Sequence, residues 1–509
     1  MGAPRGPAWA AVALAIIAGG WAMAISWLVF PDLSDNKDEA VYLLQAETLR
    51  HGQLFPPAPV PADAFMPWLG VDAGDHFVLK YTPVHAGIIS VVGAVLGGNR
   101  AALGFIAAAA VLACYALGRE MTKDSGQALV AAALFAASPL FLIQSATFLP
   151  YLSTLTLLMV FAATLIGGVR RESPVCLVAS GFALGLAVFS RPFDALLFAT
   201  PLGGWWLVDR GGLPRRRLGR EARWLALGGA VPAAAMACYC RAATESFFRL
   251  PFTLTDPTDT VGFGLRRMFP EQHPIDYTPV EALRGAGRLA ALTGVWVFGG
   301  FLLIAFAVVG VRRATGPARW FSLSAVTVPV GYMFFWGSYG STEWGGPWRY
   351  GPFYWLPLLA PLAVLGATGF QRLQAVDRRV SRFAVTGMVA VSLVMVVMAL
   401  SAHRPFTERG RRLFAAPRQA AGLEQALVFL PSVQGPWLLQ PFAMARNASV
   451  DQRTLWALDR GSEANQALLR AFPTRRGYRV VARDGRGESV PLDGRWPTVL
   501  EAVPTSPQS

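Results

Sequence analysis

The sequence predicts a polytopic, all-α membrane protein of about eleven transmembrane helices, followed by a small α/β domain at its C-terminal end. The first observation behind this fold class is compositional: of 509 residues, 54% are hydrophobic and only 15% are charged. Water-soluble proteins carry about 25% charged residues. The composition therefore excludes a soluble globular enzyme, a disordered chain and a disulfide scaffold.

The second observation is the recurrence of apolar segments long enough to cross a bilayer, which takes about 20 residues. Eleven spans are predicted, at residues 8–30, 100–118, 127–143, 150–169, 174–190, 192–208, 224–242, 289–311, 320–338, 351–370 and 383–401. A shorter apolar stretch, residues 83–97, has the length of an interfacial or re-entrant segment. We expect it to form a membrane-hugging helix rather than a span.

The third observation is the placement of arginine. Arginine-rich connections fall at every second loop, at residues 170–171, 210–223, 312–319 and 372–382. Short cytoplasmic loops collect Arg and Lys, so these connections identify the cytoplasmic face. The net charge of +14 is thus an orientation signal in large part, with more on the C-terminal tail, and it does not indicate a nucleic-acid partner.

This orientation divides the chain into a transmembrane module, residues 1–402, and an outer soluble domain, residues 403–509. Within the module it leaves two extended connections outside the membrane: the first long loop, residues 31–99, and the second long loop, residues 243–288. In the C-terminal domain, LVFLP and YRVVA are predicted as strands, and GSEANQALLRAF as a helix with Ser462 as its N-cap.

Acidic residues cluster at the start of the first long loop. Asp32, Asp35, Asp38 and Glu39 follow the first predicted span, and the next ten residues, AVYLLQAETL, have helical apolar spacing. Asp38 and Glu39 are therefore predicted at the start of a surface helix, whose N-terminus favours carboxylates. Two interpretations stay open: the acids only stabilise the helix end, or one of them is a general base acting on a hydroxyl group.

Lys80 lies near the end of the same loop, where Tyr81 and His85 follow it as the chain returns to the membrane interface. An interfacial lysine commonly extends its ammonium group to lipid headgroups. The alternative is contact with the phosphate of a lipid-linked substrate.

Two arginines lie on the predicted outer side, where arginine is less expected. Arg191 occupies a corner between two apolar segments, and Asp194 is placed to pair with it. Arg349 lies beside Tyr350 in an aromatic loop. Ion pairing or aromatic stacking competes with a functional role for both. His273, in the second long loop, is more typical of a loop hydrogen-bonding residue than of a metal ligand.

Four motifs follow one another between residues 30 and 370: the Asp-Glu pair, Lys-Tyr-x-Pro at 80–83, the Arg-Pro corner at 191–192, and Arg-Tyr-Gly-Pro-x-x-x-x-Pro from 349. Together they resemble the C-type (GT-C) membrane glycosyltransferases. The resemblance is closest to bacterial relatives of protein O-mannosyltransferases and lipid A aminoarabinose transferases. It implies a GT-C fold in the bacterial inner membrane, with the active site on the extracytoplasmic side.

The resemblance also implies a reaction, an inverting transfer of a sugar from a polyprenyl-phosphate donor to a hydroxyl acceptor of unknown identity. It implies Asp38 as the base that takes the acceptor proton and Glu39 as its support. Lys80 matches the lysine that contacts the donor phosphate. The resemblance adds Arg100, Arg191 and Arg349 as a cationic cradle, with supporting roles for Tyr81, His85, Tyr350 and His273.

One segment departs from this pattern. Several relatives carry a second aspartate between the third and fourth spans, where this chain reads QSATFLP and has no acid. Glu39 is the substitute that we expect. No metal ligand set is identified, so a divalent metal is left open and no cofactor is assigned.

Two other function classes stay open. A membrane transporter or flippase is the main alternative, but the expected paired, broken helices of inverted repeats are not evident. Its charges would also lie near mid-membrane, whereas the candidate residues cluster on one predicted face. A scaffold that binds glycan or peptide through its C-terminal domain is the third class.

Overall fold

The computed structural model describes residues 5–209, 215–431, 439–492 and 495–503. The chain is mostly helical. The helices are α1 Arg5–Leu28, α2 Asp38–Arg50, α3 Val84–Leu96, α4 Asn99–Thr122, α5 Ser125–Ala136, α6 Pro139–Gln144, α7 Tyr151–Arg171, α8 Pro174–Ser190, α9 Pro192–Gly204, α10 Arg215–Thr244, α11 Pro279–Trp296, α12 Phe301–Val311, α13 Pro317–Phe321, α14 Ser324–Tyr332, α15 Trp336–Glu343, α16 Gly346–Tyr350, α17 Leu359–Val376, α18 Arg378–Leu413, α19 Ala415–Ala420, α20 Leu439–Met444 and α21 Ser462–Ala471.

The strands form two small hairpins and one larger sheet. They are β1 Gly70–Asp72, β2 Phe77–Leu79, β3 Gly264–Arg266, β4 Ile275–Tyr277, β5 Ala426–Pro431, β6 Thr454–Asp459, β7 Arg476–Arg483, β8 Ser489–Val490 and β9 Thr498–Ala502. The hairpins β1–β2 and β3–β4 lie in the first and second long loops. In the larger sheet β6, β5 and β7 are parallel neighbours, and β8 and β9 pair antiparallel with β7.

The transmembrane count is lower than the sequence predicts. Among the described residues, six helices are long and apolar enough to span a membrane, or seven if one bent pair counts as a single span. They are Gly6–Leu28, Asn99–Thr122, Tyr151–Arg171, Arg216–Thr244, Phe353–Val376 and Arg378–Leu413. The eleven predicted spans are therefore not confirmed, although the multi-pass helical architecture is.

Breaks in two of the predicted spans account for part of the difference. The segment predicted as one span at 289–311 is the bent pair, α11 and α12, which meet at 96°. Gly299 and Gly300 separate them with φ angles of 71° and 63°, a backbone conformation that glycine adopts readily. The span predicted at 127–143 is likewise divided, because α5 ends before Pro139 begins α6.

The helices of the module share one extended core, which is rich in alanine and leucine and includes residues of α1, α4, α5, α7 and α17. Basic and acidic residues pair at one end of this bundle: Arg170 and Arg171 with Glu120, and Arg220 with Glu172. These arginines belong to two of the four arginine-rich connections, at 170–171 and 210–223, which therefore meet at the same end of the bundle.

The first long loop contains the elements that its sequence pattern predicts. Helix α2 begins at Asp38, and the short apolar stretch forms α3, a helix of 13 residues. The hairpin β1–β2 lies between them and ends directly before Lys80. Asp38 and Lys80 therefore each lie at or next to an end of a regular element.

The C-terminal region contains the predicted strands and helix, with two corrections. Helix α18 continues past the predicted boundary at residue 402 and ends at Leu413. The N-cap of α21 is Gly461, with a φ of 93°, so Ser462 is the first helical residue. We call residues 415–503, so far as they are described, the sheet region.

Candidate functional site

Tyr81 lies between Asp38 and Lys80 and contacts both of them. Tyr81 donates a hydrogen bond of 2.7 Å from its Oη to Asp38 Oδ2, and the indole of Trp68 lies 3.4 Å from Asp38 Oδ1. Burial, with the charge of Asp38 adding to it, raises the pKa of Tyr81 well above its ordinary value. Tyr81 therefore stays protonated and keeps donating to the half-buried Asp38 carboxylate.

Lys80 is enclosed and paired. Its side chain is fully buried, and its Nζ forms an ion pair with Asp259 of the second long loop. The ring of Phe252, from the same loop, lies 4.4 Å from Nζ. Trp336 Nε1 donates to the other oxygen of Asp259 at 2.8 Å. The lysine thus carries a positive charge that is already held by an internal anion.

Arg191 lies at the corner between α8 and α9, as predicted, and pairs with Asp194. Its guanidinium also lies 4.3 Å from the ring centroid of Tyr151. Thr82, which follows Tyr81, donates to the carbonyl of Ser190 at 3.1 Å, so the corner contacts the Lys80–Tyr81 segment. The ion pair is present, and the free face of the guanidinium is turned to an aromatic ring.

Five of the 11 tyrosines in the chain surround these groups. We call Tyr42, Tyr81, Tyr151, Tyr332 and Tyr354 the tyrosine cluster. Tyr42 stacks on Tyr81 at 5.0 Å, and Tyr354 lies 5.7 Å from Tyr151 and 5.4 Å from Tyr332. Tyr42 and Tyr81 both lie within electrostatic range of Tyr151. Asp38, Lys80 and Arg191 all border this cluster.

A second polar group lies at the junction of the first long loop with α16 and α18. In this junction cluster Asp35 pairs with Arg349 and accepts the hydroxyl of Tyr350, while His403 Nε2 lies 2.9 Å from the carbonyl of Arg349. The ring of Phe406 lies 4.4 Å from the Arg349 guanidinium. Arg349 and Tyr350 are thus joined to Asp35, not to Asp38.

Glu39 points away from the tyrosine cluster into the protein interior. It is 1% exposed, and its two oxygens accept the backbone N–H groups of Ser34 and Phe148 at 2.9 Å each. Burial raises the pKa of Glu39 to about 7, although both N–H groups and the charge of Arg100 act to lower it. Glu39 therefore ties the first long loop to the QSATFLP segment.

The remaining predicted residues form their hydrogen bonds outside the tyrosine cluster, although the ring of His85 meets that of Tyr42 edge-on at 5.2 Å. Arg100 binds the end of α1, with its Nη2 2.9 Å from the Phe30 carbonyl and 2.7 Å from that of Pro31. His85 is buried, and its ring nitrogens lie 2.8 Å from Ser153 Oγ and 3.1 Å from the Phe148 carbonyl. His273 is exposed on the second long loop. None of these contacts reaches Asp38 or Lys80.

Two other sequence features have defined surroundings. Asn447, which begins an Asn-x-Ser acceptor pattern, is buried, and its side-chain amide bonds to the Trp456 backbone at 2.7 Å, so it is not presented for glycosylation. In the part of the chain that the structure describes, no group of three or more His, Cys, Asp and Glu residues could hold a metal ion.

The sequence does not predict most of the tyrosine cluster, nor the two long-range ion pairs of Lys80 with Asp259 and of Arg349 with Asp35. Asp259 lies 179 residues from Lys80, and Asp35 lies 314 residues from Arg349. No local pattern distinguishes Asp259 from a loop acid, and tyrosines at span ends are expected as interfacial anchors. Only the acidic clustering drew attention to Asp35.

The chain is a multi-pass membrane protein in which charged and aromatic groups gather at one end of a helical bundle, beneath a mixed sheet. Residues 80–239 match the family model described as dolichyl-phosphate-mannose-protein mannosyltransferase. Residues 426–495 match a family model described as a domain of unknown function (DUF7846). A search of the curated proteins finds no match.

Two solved structures are similar over nearly the whole chain. The crystal structure of ArnT from Cupriavidus metallidurans bound to undecaprenyl phosphate gives a TM-score of 0.58 at 15% identity, covering 94% of each chain. The apo structure of that protein gives 0.54 at 16% identity, covering 94% of this chain and 95% of that one. The chain therefore has the C-type glycosyltransferase fold, and the resemblance stated from the sequence is confirmed.

Proposed function

We propose that the chain is an inverting glycosyltransferase that moves a sugar from a polyprenyl-phosphate donor to a hydroxyl acceptor on the outer face of the bacterial inner membrane. The observation that carries the proposal is the Asp38–Tyr81–Lys80 arrangement, in which an anion and a cation flank one tyrosine at the tyrosine cluster. The binding of undecaprenyl phosphate by ArnT, which has the same fold, supports a donor of this class.

In the proposed reaction Asp38 accepts the proton of the acceptor hydroxyl as its oxygen attacks the anomeric carbon. The bond from that carbon to the phosphate oxygen breaks, and its electron pair leaves with the polyprenyl phosphate. A phosphate is a stable anion, so the leaving group needs nearby cations more than a general acid. Lys80 and Arg191 are the cations that border the tyrosine cluster.

The buried state of Lys80 adds one requirement. Its ammonium group pairs with Asp259, and in the proposed reaction the donor phosphate replaces the Asp259 carboxylate as its partner. We propose the same role for Lys80 as the resemblance implies, with Asp259 as the anion that occupies the phosphate position. Glu39, Arg100, Arg349 and Tyr350 then support the site from outside, because their described contacts are to other parts of the chain. His85 packs edge-on against Tyr42 of the tyrosine cluster.

The direct test is transfer of a radiolabelled sugar from a purified polyprenyl-phosphate donor to membrane extracts by the reconstituted protein. The expected result is transfer that depends on the lipid donor, with Lys80→Ala raising the donor KM. Movement of the lipid across the bilayer without transfer of sugar would instead favour a flippase. A donor KM unchanged by Lys80→Ala would remove that residue from the phosphate position.

A further inference from the structure

The strand that leads into Lys80 lies between two cores. Phe77 packs with Leu427 and Phe429 of the sheet region, and Leu79 packs in the other core of that region. Val78 packs with Phe189 of α8 and Tyr239 of α10 in the transmembrane module. Because side chains alternate along a strand, β2 is held by the sheet region on one face and by the membrane helices on the other.

Helix α2, which begins at Asp38, is held in the same way. Ala40, Val41 and Leu44 share a core with α20 and the central strands of the sheet region. Ala46 lies in a separate core with residues of α3 and α4. Helix α2 thus has one stripe against the sheet region and another against the module.

Polar contacts at the edges continue this layering. Arg418 of α19 pairs with Asp32, and Arg460, which follows β6, pairs with Asp63. Thr407 of α18 donates to the Val29 carbonyl at 2.6 Å, where α1 ends. The first long loop is therefore the middle of three layers, and it carries both Asp38 and Lys80.

We propose that the sheet region is a positioning element of the transferase site, which fixes the distance between Asp38 and Lys80 by packing on α2 and β2 together. The inference rests on the proposed function and assigns a role in it to the sheet region. A rigid frame is required because displacement of a catalytic group by about 1 Å can lower a rate about 100-fold.

The test is truncation of one side chain on the face of the sheet region that meets the first long loop. Phe442 is 4% exposed and lies on α20, which contacts α2. The matched control is Val499→Ala on β9, where Val499 is half-buried and pairs with Val481 of β7. Its neighbour Leu500 packs against the core of Phe442, so the Val499 side chain faces the other side of the strand. Two readouts are measured for each variant: the kinetics of sugar transfer, and hydrogen exchange over residues 38–50 and 77–80 without substrate.

For Phe442→Ala we expect kcat to fall about 10- to 100-fold, with faster exchange in both segments and unchanged exchange in α4 and α7. Phe442→Leu should restore most of the rate, and Val499→Ala should leave rate and exchange at wild-type values. If Phe442→Ala does not fold, Val480→Ala makes a smaller truncation in the same core and gives the same comparison.

Two results would overturn the inference: wild-type exchange in both segments for the Phe442 variant, or equal losses in the Phe442 and Val499 variants. The exchange readout also separates this inference from the proposed function. If the wild-type chain transfers no sugar but Phe442→Ala still loosens both segments, the positioning role stands and the proposed reaction fails.

Discussion

Asp35 and Asp38 are three residues apart in the first long loop, yet their surroundings differ sharply. Asp35 is 5% exposed and is bound by Arg349 and Tyr350, which are more than 300 residues away in the sequence. Asp38 is half-buried and receives hydrogen bonds from the neutral donors Tyr81 and Trp68. The Asp35 carboxylate, buried against a guanidinium, stabilises the fold. The Asp38 carboxylate, which is half-buried at the tyrosine cluster, is available to accept a proton.

The largest expected effect in this comparison comes from Asp38→Asn. Asparagine retains the shape and can still accept from Tyr81, but it cannot take a proton from an acceptor hydroxyl. We expect sugar transfer to fall by about 10²- to 10⁴-fold, the usual contribution of a general base. The unfolding midpoint should stay at the wild-type value. Full transfer activity in this variant would remove Asp38 as the base.

Asp35→Asn should act on stability instead. It leaves the Arg349 guanidinium without its anionic partner in a largely buried position, and breaking a buried ion pair in this way costs about 3–5 kcal/mol. The measurement is thermal unfolding in detergent, with Asp32→Asn as control. Asp32 pairs with the half-exposed Arg418, and such a pair contributes about 0–1 kcal/mol. Equal midpoints for the two variants would contradict a framing role for Asp35.

The contrast between these two aspartates shows what the sequence could and could not predict. Helix α2 starting at Asp38, helix α3 and the strands LVFLP and YRVVA follow from local periodicity and composition, so they were predicted. The eleven spans are not confirmed, in part because the bend at Gly299 and Gly300 depends on backbone conformation, which hydropathy does not record. The division of roles between Asp35 and Asp38 depends on Arg349 and Tyr81, and only the fold brings those partners together.

Glu39 extends the comparison to a third acid of the first long loop, which lies next to Asp38 at the start of α2. Its pKa of about 7 lies above the ordinary value of 4.5. Between pH 4.5 and pH 7, therefore, the folded state still binds a proton that the unfolded state has already lost. The resulting stability is fully present below pH 4.5 and is lost as the pH rises through 7. It is on the order of 3 kcal/mol.

The measurement is the unfolding midpoint from pH 5 to pH 8. The wild-type midpoint should fall over this range relative to that of Glu39→Gln, whose side chain stays neutral. Glu47→Gln is the control, because Glu47 is on the same helix with its side chain 38% exposed. Parallel curves for the wild type and Glu39→Gln would show that Glu39 does not titrate in this range.

The smallest expected effect tests whether Asp259 occupies the phosphate position. Removing its charge leaves Lys80 without a competing anion, so Asp259→Asn should lower the donor KM a few-fold, about 1 kcal/mol of binding.

The control is Asp256→Asn in the same turn, since Asp256 pairs with Arg267 at 2.5 Å and not with Lys80. If Asp259 had only a structural role, both variants should lose efficiency in donor use, because both carboxylates are buried. Tighter donor use in the Asp259 variant only would therefore mean that the carboxylate and the donor phosphate compete for Lys80. A raised KM would mean that Asp259 holds Lys80 in place for the donor.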